Sequence, residues 1–142
     1  MSASTASFRL EDYSFPQIHL DFSRSLEGGV DIAIKPKGLY RQATQEYLLQ
    51  VRCLLFSKNT EGGHEDSFVD VLCIAKFVFN EPLTKEQIPD YFYPNSVAII
   101  FPYVRAMIST LTLQANRDCA VILPTMNLSN LQEELKRNTE VE

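Results

Sequence analysis

The stretch FVDVLCIAKFVF, at residues 68–79, alternates between two sets of residues, and this alternation decides the fold. A period of two is typical of a β-strand. One face is entirely apolar, with Val69, Val71, Cys73, Ala75, Phe77 and Phe79. The other face combines two charged residues with four apolar ones, Phe68, Leu72, Ile74 and Val78. A sheet face that meets only water is usually more polar, so we expect a second subunit or an extended ligand to cover part of it. Scattered exposed apolar residues are the alternative.

Three more alternating runs precede this strand. Residues 46–56 place one apolar set on a single face, Tyr47, Leu49, Val51, Cys53 and Leu55. The run that begins at Val30 is interrupted by Pro36 and Gly38, which predicts a long, bulged strand. The first run changes phase across Glu11–Asp12, which predicts a bulge or bend. Together these runs predict a curved antiparallel sheet of about four strands.

After Glu81–Pro82 the apolar period becomes helical. One stripe contains Phe101, Val104, Ile108, Leu111 and Ala115. Proline is tolerated in the first turn of a helix, so Pro102 predicts that this long helix begins close to Phe101. A second helix is expected after Pro124, capped by Asn127 or Ser129, with a stripe of Leu128, Leu131 and Leu135. The fold class is therefore α+β, with both helices packed on one face of the sheet.

Composition narrows the class of protein. A chain of 142 residues is predicted to form a single domain, 1–142, with flexible tails at 1–7 and 138–142. Its net charge of -5 argues against nucleic acid as a partner. The longest apolar runs are broken by charged residues or proline, so we expect no membrane insertion. Three widely spaced cysteines and the lack of a secretory signal favour a cytoplasmic location.

Residues that could carry catalysis are few. His19 alternates with apolar strand residues and His64 falls in a polar loop, so neither has obvious partners for a metal site. Cys53 and Cys73 lie on apolar strand faces and are predicted to be small buried hydrophobes. Cys119 has no evident role. The sequence therefore predicts no catalytic, metal or cofactor site, and a small enzyme of unknown type is only an alternative.

The first helix and its exit resemble a known family. Ile99–Arg105, IIFPYVR, resembles the apolar-Phe-Pro-Tyr-Ala-Arg signature of the SecB export-chaperone family. Residues 123–128, LPTMNL, are similar to the proline turn and last helix entry of that family, and the close resemblance covers Pro94 to Leu135. It implies a homotetramer, arranged as a dimer of dimers, that binds unfolded or precursor polypeptides and needs no cofactor. It also implies delivery of these clients to the SecA translocation motor.

The family receives a basic tail of the motor on an acidic sheet face, and this chain departs from the family there. Asp12 lies in a segment, Asp12–Phe15, that is similar to an early segment of the family. Pro16 stands where the family has an acidic residue, and Ile74 falls where another is expected. The resemblance therefore implies motor docking at Asp12 alone, with weaker attraction than in a typical member. A chaperone for another client, such as an antitoxin, is the alternative.

Two sets of candidate surface residues follow from these patterns. Client binding is predicted on apolar residues near the boundary between sheet and helix, Ile32, Ile34, Met126, Leu128 and Leu131. The alternative is that all five are ordinary core residues. Interfaces between subunits are predicted on Phe68, Leu72, Ile74, Tyr103 and Ile108. The last two lie on opposite sides of the predicted helix, so we expect at least one to face a neighbouring subunit.

Overall fold

A computed structural model describes residues 7–23, 29–58, 67–115, 123 and 128–142 of the chain. The strands are β1 (Phe8–Leu20), β2 (Val30–Arg41), β3 (Glu46–Ser57), β4 (Val69–Phe79) and β5 (Thr139–Val141). The helices are α1 (Phe92–Gln114) and α2 (Leu131–Arg137). The sheet order is β1-β4-β3-β2-β5, with β5 parallel to β2 and the other pairs antiparallel. This confirms the predicted α+β class.

Strand β4 alternates as predicted. Every second residue from Val69 to Phe79 is buried, and the residues between them are half-buried. The predicted position of Phe68 on the second face of β4 is wrong, because Phe68 lies before the first residue of this strand. Its backbone N–H donates to the Leu55 carbonyl at 2.8 Å, and its ring packs beside Phe22 and is 1% exposed.

The phase change in β1 is confirmed, because its pairing with β4 shifts between Leu10 and Asp12 and again between Ser14 and Gln17. The expected interruption of β2 is wrong, since the pairing of β2 with β3 runs without a shift from Val30 to Arg41. Pro36 fits inside this strand because its nitrogen points to the outer edge of β2, beyond the reach of β5, where no ladder bond needs the missing N–H.

The last residues of the chain form a strand, which differs from the expected flexible tail at 138–142. β5 pairs with Gly38, Leu39 and Tyr40 of β2 and makes a fifth strand beyond the predicted four. The Glu142 N–H donates to the Tyr40 carbonyl at 2.9 Å, and the Glu142 carboxylate forms an ion pair with Arg41. The other expected tail lies outside the described residues except for Ser7.

Helix α1 begins at Phe92, nine residues before the predicted start. Proline in a helix interior removes one hydrogen bond and costs about 3 kcal/mol. The start of α1 was therefore predicted close to Phe101, so that Pro102 would fall in the first turn. The extra turns bury Phe92, Tyr93, Val97 and Ile100 completely or almost completely, and burial of such side chains stabilises by about 1.5–3 kcal/mol each. Pro102 lies inside α1 with an exposed ring. Tertiary packing therefore outweighs the local cost of this proline.

Helix α1 is longer and more apolar than the interrupted apolar runs of the sequence led us to expect. By length and composition alone, α1 is able to cross a membrane. Its buried face packs on β3 and β4, and 39% of its most apolar 18-residue window is buried in the single chain. Three large apolar side chains of α1, Ile99, Tyr103 and Leu113, remain exposed.

Helix α2 follows a 3-10 turn at Leu128–Asn130 and has Asn130 as its N-cap, without a capping hydrogen bond from that side chain. The predicted cap at Ser129 is therefore one residue too early, and Asn127 lies outside the described residues. Leu135 anchors α2 in the core. Both helices pack on the same face of the sheet, as predicted, and no described helix packs on the other face, which we call the open face.

Candidate functional site

An apolar strip lies along β2 on the same side of the sheet as the helices. It consists of Val30, Ile32 and Ile34, which are half-buried and pack against the core. Their partners on β3 are Ser57, Leu55 and Cys53. The strip therefore forms the margin of the core, with part of each side chain accessible from solvent.

The backbone beside this strip faces outward. The Gly38 N–H donates to the Asn138 carbonyl at 3.2 Å, so the polar groups of Gly38 point away from β3. Backbone direction alternates along a regular strand, so Ile32 and Ile34 also point their N–H and C=O groups outward. Within the described residues β5 pairs only with Gly38–Tyr40, and no strand pairs with this edge from Val30 to Lys37.

One outward N–H has a side-chain partner. The Asp31 carboxylate accepts a hydrogen bond from the Ile32 N–H at 3.0 Å. In a continuous sheet, a carbonyl of the next strand would occupy that position. Asp31 thus satisfies a donor that would otherwise be left to water, which is one way an exposed strand edge is managed.

Four of the five predicted client-binding residues share this side of the sheet. Leu128 and Leu131 are half-buried and pack against the same core as Ile32 and Ile34, and α2 lies against β2. Met126 lies outside the described residues. The arrangement combines a free backbone edge with partly exposed aliphatic side chains, which is the chemistry that an extended polypeptide needs for pairing as an added strand.

The open face of the sheet carries a cavity of about 660 Å³ that reaches from β1 to the end of α2. Lys35 and Lys37 line it from β2, and Leu72 lies in the part formed by β4. Arg52 of β3 donates two hydrogen bonds to Asp70, at 2.9 and 2.5 Å. These bonds hold the pKa of the Asp70 carboxyl below its usual value, against the opposing effect of partial burial.

The predicted interface residues fall in different places. Ile108 is fully buried in the core, so it offers no surface to a second subunit in this structure, as already found for Phe68. Leu72 and Ile74 are half-buried on the open face. Tyr103 is 41% exposed and stacks on Tyr13, with the ring centroids 4.4 Å apart. The helix therefore does turn Tyr103 and Ile108 to opposite sides.

The predicted motor-docking residue, Asp12, is exposed on β1 opposite Lys76. Lys76 itself forms an ion pair with Glu11 at 3.2 Å. Asp12 thus lies beside a cation and does not line the cavity.

Cys53 and Cys73 are buried, as predicted, whereas His19 is exposed on β1. Desolvation raises the pKa of Cys53 to about 12 and that of Cys73 to about 11, which keeps both thiols protonated and poorly nucleophilic. In the described parts of the chain, no three His, Cys, Asp or Glu residues cluster in a way that could hold a metal ion. His64 and Cys119 lie outside those parts.

No protein-family model matches this chain. The fold is that of a SecB-like chaperone, with similarity to the Mycobacterium tuberculosis Rv1957 SecB-like chaperone in complex with a ChAD peptide from the Rv1956 HigA1 antitoxin. The TM-score is 0.67, with 16% identity, and the match covers 85% of this chain and 88% of that chain.

A short segment is similar to a second protein. An uncharacterized protein of Methanocaldococcus jannaschii is 54% identical over an alignment of 50 residues that covers 32% of this chain and 32% of that protein. The matched part of this chain therefore spans about a third of the length of that relative. The structural similarity, rather than this short match, establishes the SecB-like fold.

Three features of the site were not predicted from the sequence. They are the hydrogen bond from the Ile32 N–H to Asp31, the two lysines Lys35 and Lys37 on the edge strand, and strand β5. One signal was available, because Lys35 and Lys37 flank Pro36, and lysine and proline are typical of an exposed edge strand. The pairing partners of β2, which place Lys35 opposite Arg52, are visible only in the sheet.

Proposed function

We propose that this chain is a SecB-like chaperone that binds unfolded or precursor polypeptides in the cytoplasm and performs no catalysis. One observation carries the proposal. The outward backbone groups of Ile32 and Ile34 lie beside the half-buried side chains of the apolar strip and next to α2. An unfolded chain exposes apolar side chains and unpaired backbone together, whereas a folded protein buries both.

The edge and the strip act together on an extended client. Its backbone adds to β2 as a further strand, and every second side chain turns toward the apolar strip and Leu131. Backbone pairing is independent of sequence, so many clients fit. Selectivity then comes mainly from whether a segment is unfolded.

Assembly as a homotetramer would multiply this weak, local binding. Several modest sites on one particle can hold separated segments of the same client, which raises the overall affinity by avidity. The exposed apolar residues on α1, Ile99, Tyr103 and Leu113, favour burial against another subunit.

The function is tested by following the aggregation of a slow-folding client after dilution from denaturant. We expect a stoichiometric amount of the protein to delay aggregation equally with and without ATP. No delay with any of several unrelated clients would exclude the chaperone function. A delay that requires ATP would favour an enzyme instead.

An antitoxin-type client is a second candidate. It is favoured by the structural similarity to a SecB-like chaperone that is bound to an antitoxin peptide. A toxin gene beside the gene for this chain, together with protection of the adjacent antitoxin from aggregation, would support it. Delivery to the SecA motor is the other possibility, and it predicts salt-sensitive binding of the motor's basic tail that is lost in Asp12→Lys.

A further inference from the structure

The free edge of β2 carries a specific pattern of charge on the open face. The residues that alternate with the apolar strip are Asp31, Ala33, Lys35 and Lys37. The two lysines are exposed and, within the described residues, form no ion pair. The second half of the edge is therefore cationic, although the whole chain has a net charge of -5.

Neighbouring strands offset this charge only in part, through Asp70 of β4, which the charge of Lys35 reaches, and through Glu140 of β5, which lines the same cavity. Lys35 lies directly opposite Arg52 in the β2–β3 pair, and like charges directly opposite each other destabilise a sheet. The nearby carboxylate, Asp70, is engaged by Arg52 through both of its oxygens. Cationic residues therefore outnumber the carboxylates that line this cavity, and this excess points to a negatively charged partner.

A strand added to β2 would contact the apolar strip on one face and the lysines on the other. Side chains of a strand alternate between its two faces, so alternate client residues lie beside the apolar strip, and those between them lie beside Ala33, Lys35 and Lys37. Lys35 and Lys37 are about 7 Å apart along the strand, which is also the spacing of alternate side chains in an extended client. Cross-strand pairs of opposite charge stabilise such an arrangement.

We propose that the preferred client segments alternate aliphatic with acidic residues, with the carboxylates placed over Lys35 and Lys37. This inference rests on the proposed function and names the class of segment that the β2 edge selects. Asp31 limits the acidic residues to the second half of the edge, because a client carboxylate beside Asp31 is repelled.

A polypeptide fits this surface better than a nucleic acid. Glu134 and Glu140 line the far part of the same cavity, beside Arg137. A uniformly charged phosphate backbone would meet these carboxylates, whereas a polypeptide can vary its charge from one residue to the next. The free N–H and C=O groups of Ile34 also match the backbone of a polypeptide.

The test uses fluorescein-labelled peptides with the core Val-Glu-Val-Glu-Val, and the same peptide with both glutamates replaced by serine or by lysine. Anisotropy titrations of the full chain are expected to show the glutamate peptide binding at least about tenfold more tightly than the lysine peptide, with serine between them. In Lys35→Glu/Lys37→Glu this order is expected to reverse. Arg9→Glu/Lys85→Glu, which changes net charge equally but away from the edge, is expected to keep the original order.

The outcomes separate the two proposals. Equal binding of all three peptides would overturn the acidic preference and leave the polypeptide-binding function standing. Binding of none, together with no effect on client aggregation, would overturn both. Equal effects of the two double variants would show a response to net charge alone and reject the assignment to Lys35 and Lys37. Displacement of the glutamate peptide by a single-stranded oligonucleotide of the same charge would reject the choice of a polypeptide.

Discussion

The Tyr47 hydroxyl lies 2.6 Å from the Thr139 hydroxyl, a buried contact that joins the central strand β3 to the last strand of the chain. Thr139 donates its own hydrogen to the Leu135 carbonyl at 2.7 Å, so Tyr47 is the donor in the first bond. Gly38 lies against this pair, and a Cβ there would overlap the Tyr47 hydroxyl. These three residues hold β5 beside β2 and thereby set where the free edge begins.

The first prediction concerns this contact. Tyr47→Phe removes one buried hydrogen bond and is expected to lower the free energy of unfolding by about 1 kcal/mol. Gly38→Ala introduces an overlap with a rigid, buried ring and is expected to cost about 1–3 kcal/mol. Because the overlapped Tyr47 hydroxyl is bonded to Thr139, Gly38→Ala should also release β5. Urea denaturation measures the two losses of stability. Hydrogen exchange at residues 139–141 measures the release of β5.

Tyr40→Phe is the control, since the Tyr40 hydroxyl donates to the Leu83 carbonyl and not to β5. It is expected to lower stability by a similar amount to Tyr47→Phe while leaving exchange in β5 unchanged. If amides of β5 stay equally protected in Gly38→Ala, the proposed role of this contact is wrong.

The sequence predicted the long strands well because period-two patterns persist over many residues. β4 is the clearest case, with buried and half-buried residues alternating throughout. β5 was missed because three residues are too few to display a period, and its partner β2 is about a hundred residues away in sequence. The start of α1 was misplaced because Pro102 is a strong local signal, while burial of Phe92 depends on the sheet.

Part of the candidate site could likewise be predicted from the sequence, and part depends on how the strands pair. Ile32 and Ile34 could be selected from the alternation of β2, and in the structure both pack against the core on the side of the helices. The opposition of Lys35 and Arg52 depends on the register between β2 and β3. Register follows from turn geometry and from the burial of one whole face, so single-strand patterns do not reveal it.

A second prediction uses the pair formed by Asp70 and Arg52. The hydrogen bond from Arg52, assisted by charges on Arg52, His19 and Lys35, lowers the pKa of Asp70. The folded-state pKa thus lies below the unfolded value of about 3.9. Stability from this ion pair is complete above that pH and is lost as the pH falls through the folded-state pKa.

Asp70→Asn is therefore expected to destabilise the protein at pH 7 and to differ less from the unsubstituted protein as the pH falls below about 4. Urea denaturation at a series of pH values measures this difference. Asp90→Asn is the control, because Asp90 pairs with Lys136 on an exposed surface, where ion pairs contribute little. A difference for Asp70→Asn that stays constant down to pH 3 would contradict the explanation.

A third prediction concerns assembly through α1. We expect the chain to form a homotetramer with four times the subunit mass of 16.2 kDa. Tyr103→Asp places a charge in the exposed apolar surface of α1 and is expected to yield smaller particles in light scattering coupled to size exclusion. Tyr91→Asp is the control, since it changes an exposed tyrosine at the N-cap of α1, where an acidic residue is favourable. A tetramer that survives Tyr103→Asp with unchanged mass would place the interface elsewhere.

The last prediction separates the two components of the client site. Ile34→Pro removes one outward N–H from the free edge and keeps an apolar side chain, and Pro36 already occupies the same edge without breaking the β2–β3 pairing. Ile32→Ser keeps the backbone and removes apolar surface from the strip. Both are expected to weaken client capture several-fold in the aggregation assay, because an added strand needs backbone pairing and side-chain burial together.

Ile18→Ser on β1 is the matched control, since Ile18 is also a partly exposed strand isoleucine but lies at the opposite edge of the sheet. Thermal denaturation and particle mass must stay close to those of the unsubstituted protein for either loss to count. If both substitutions at β2 lower stability in proportion to capture, these residues belong to the core alone. If Ile18→Ser weakens capture equally, clients bind at β1 instead.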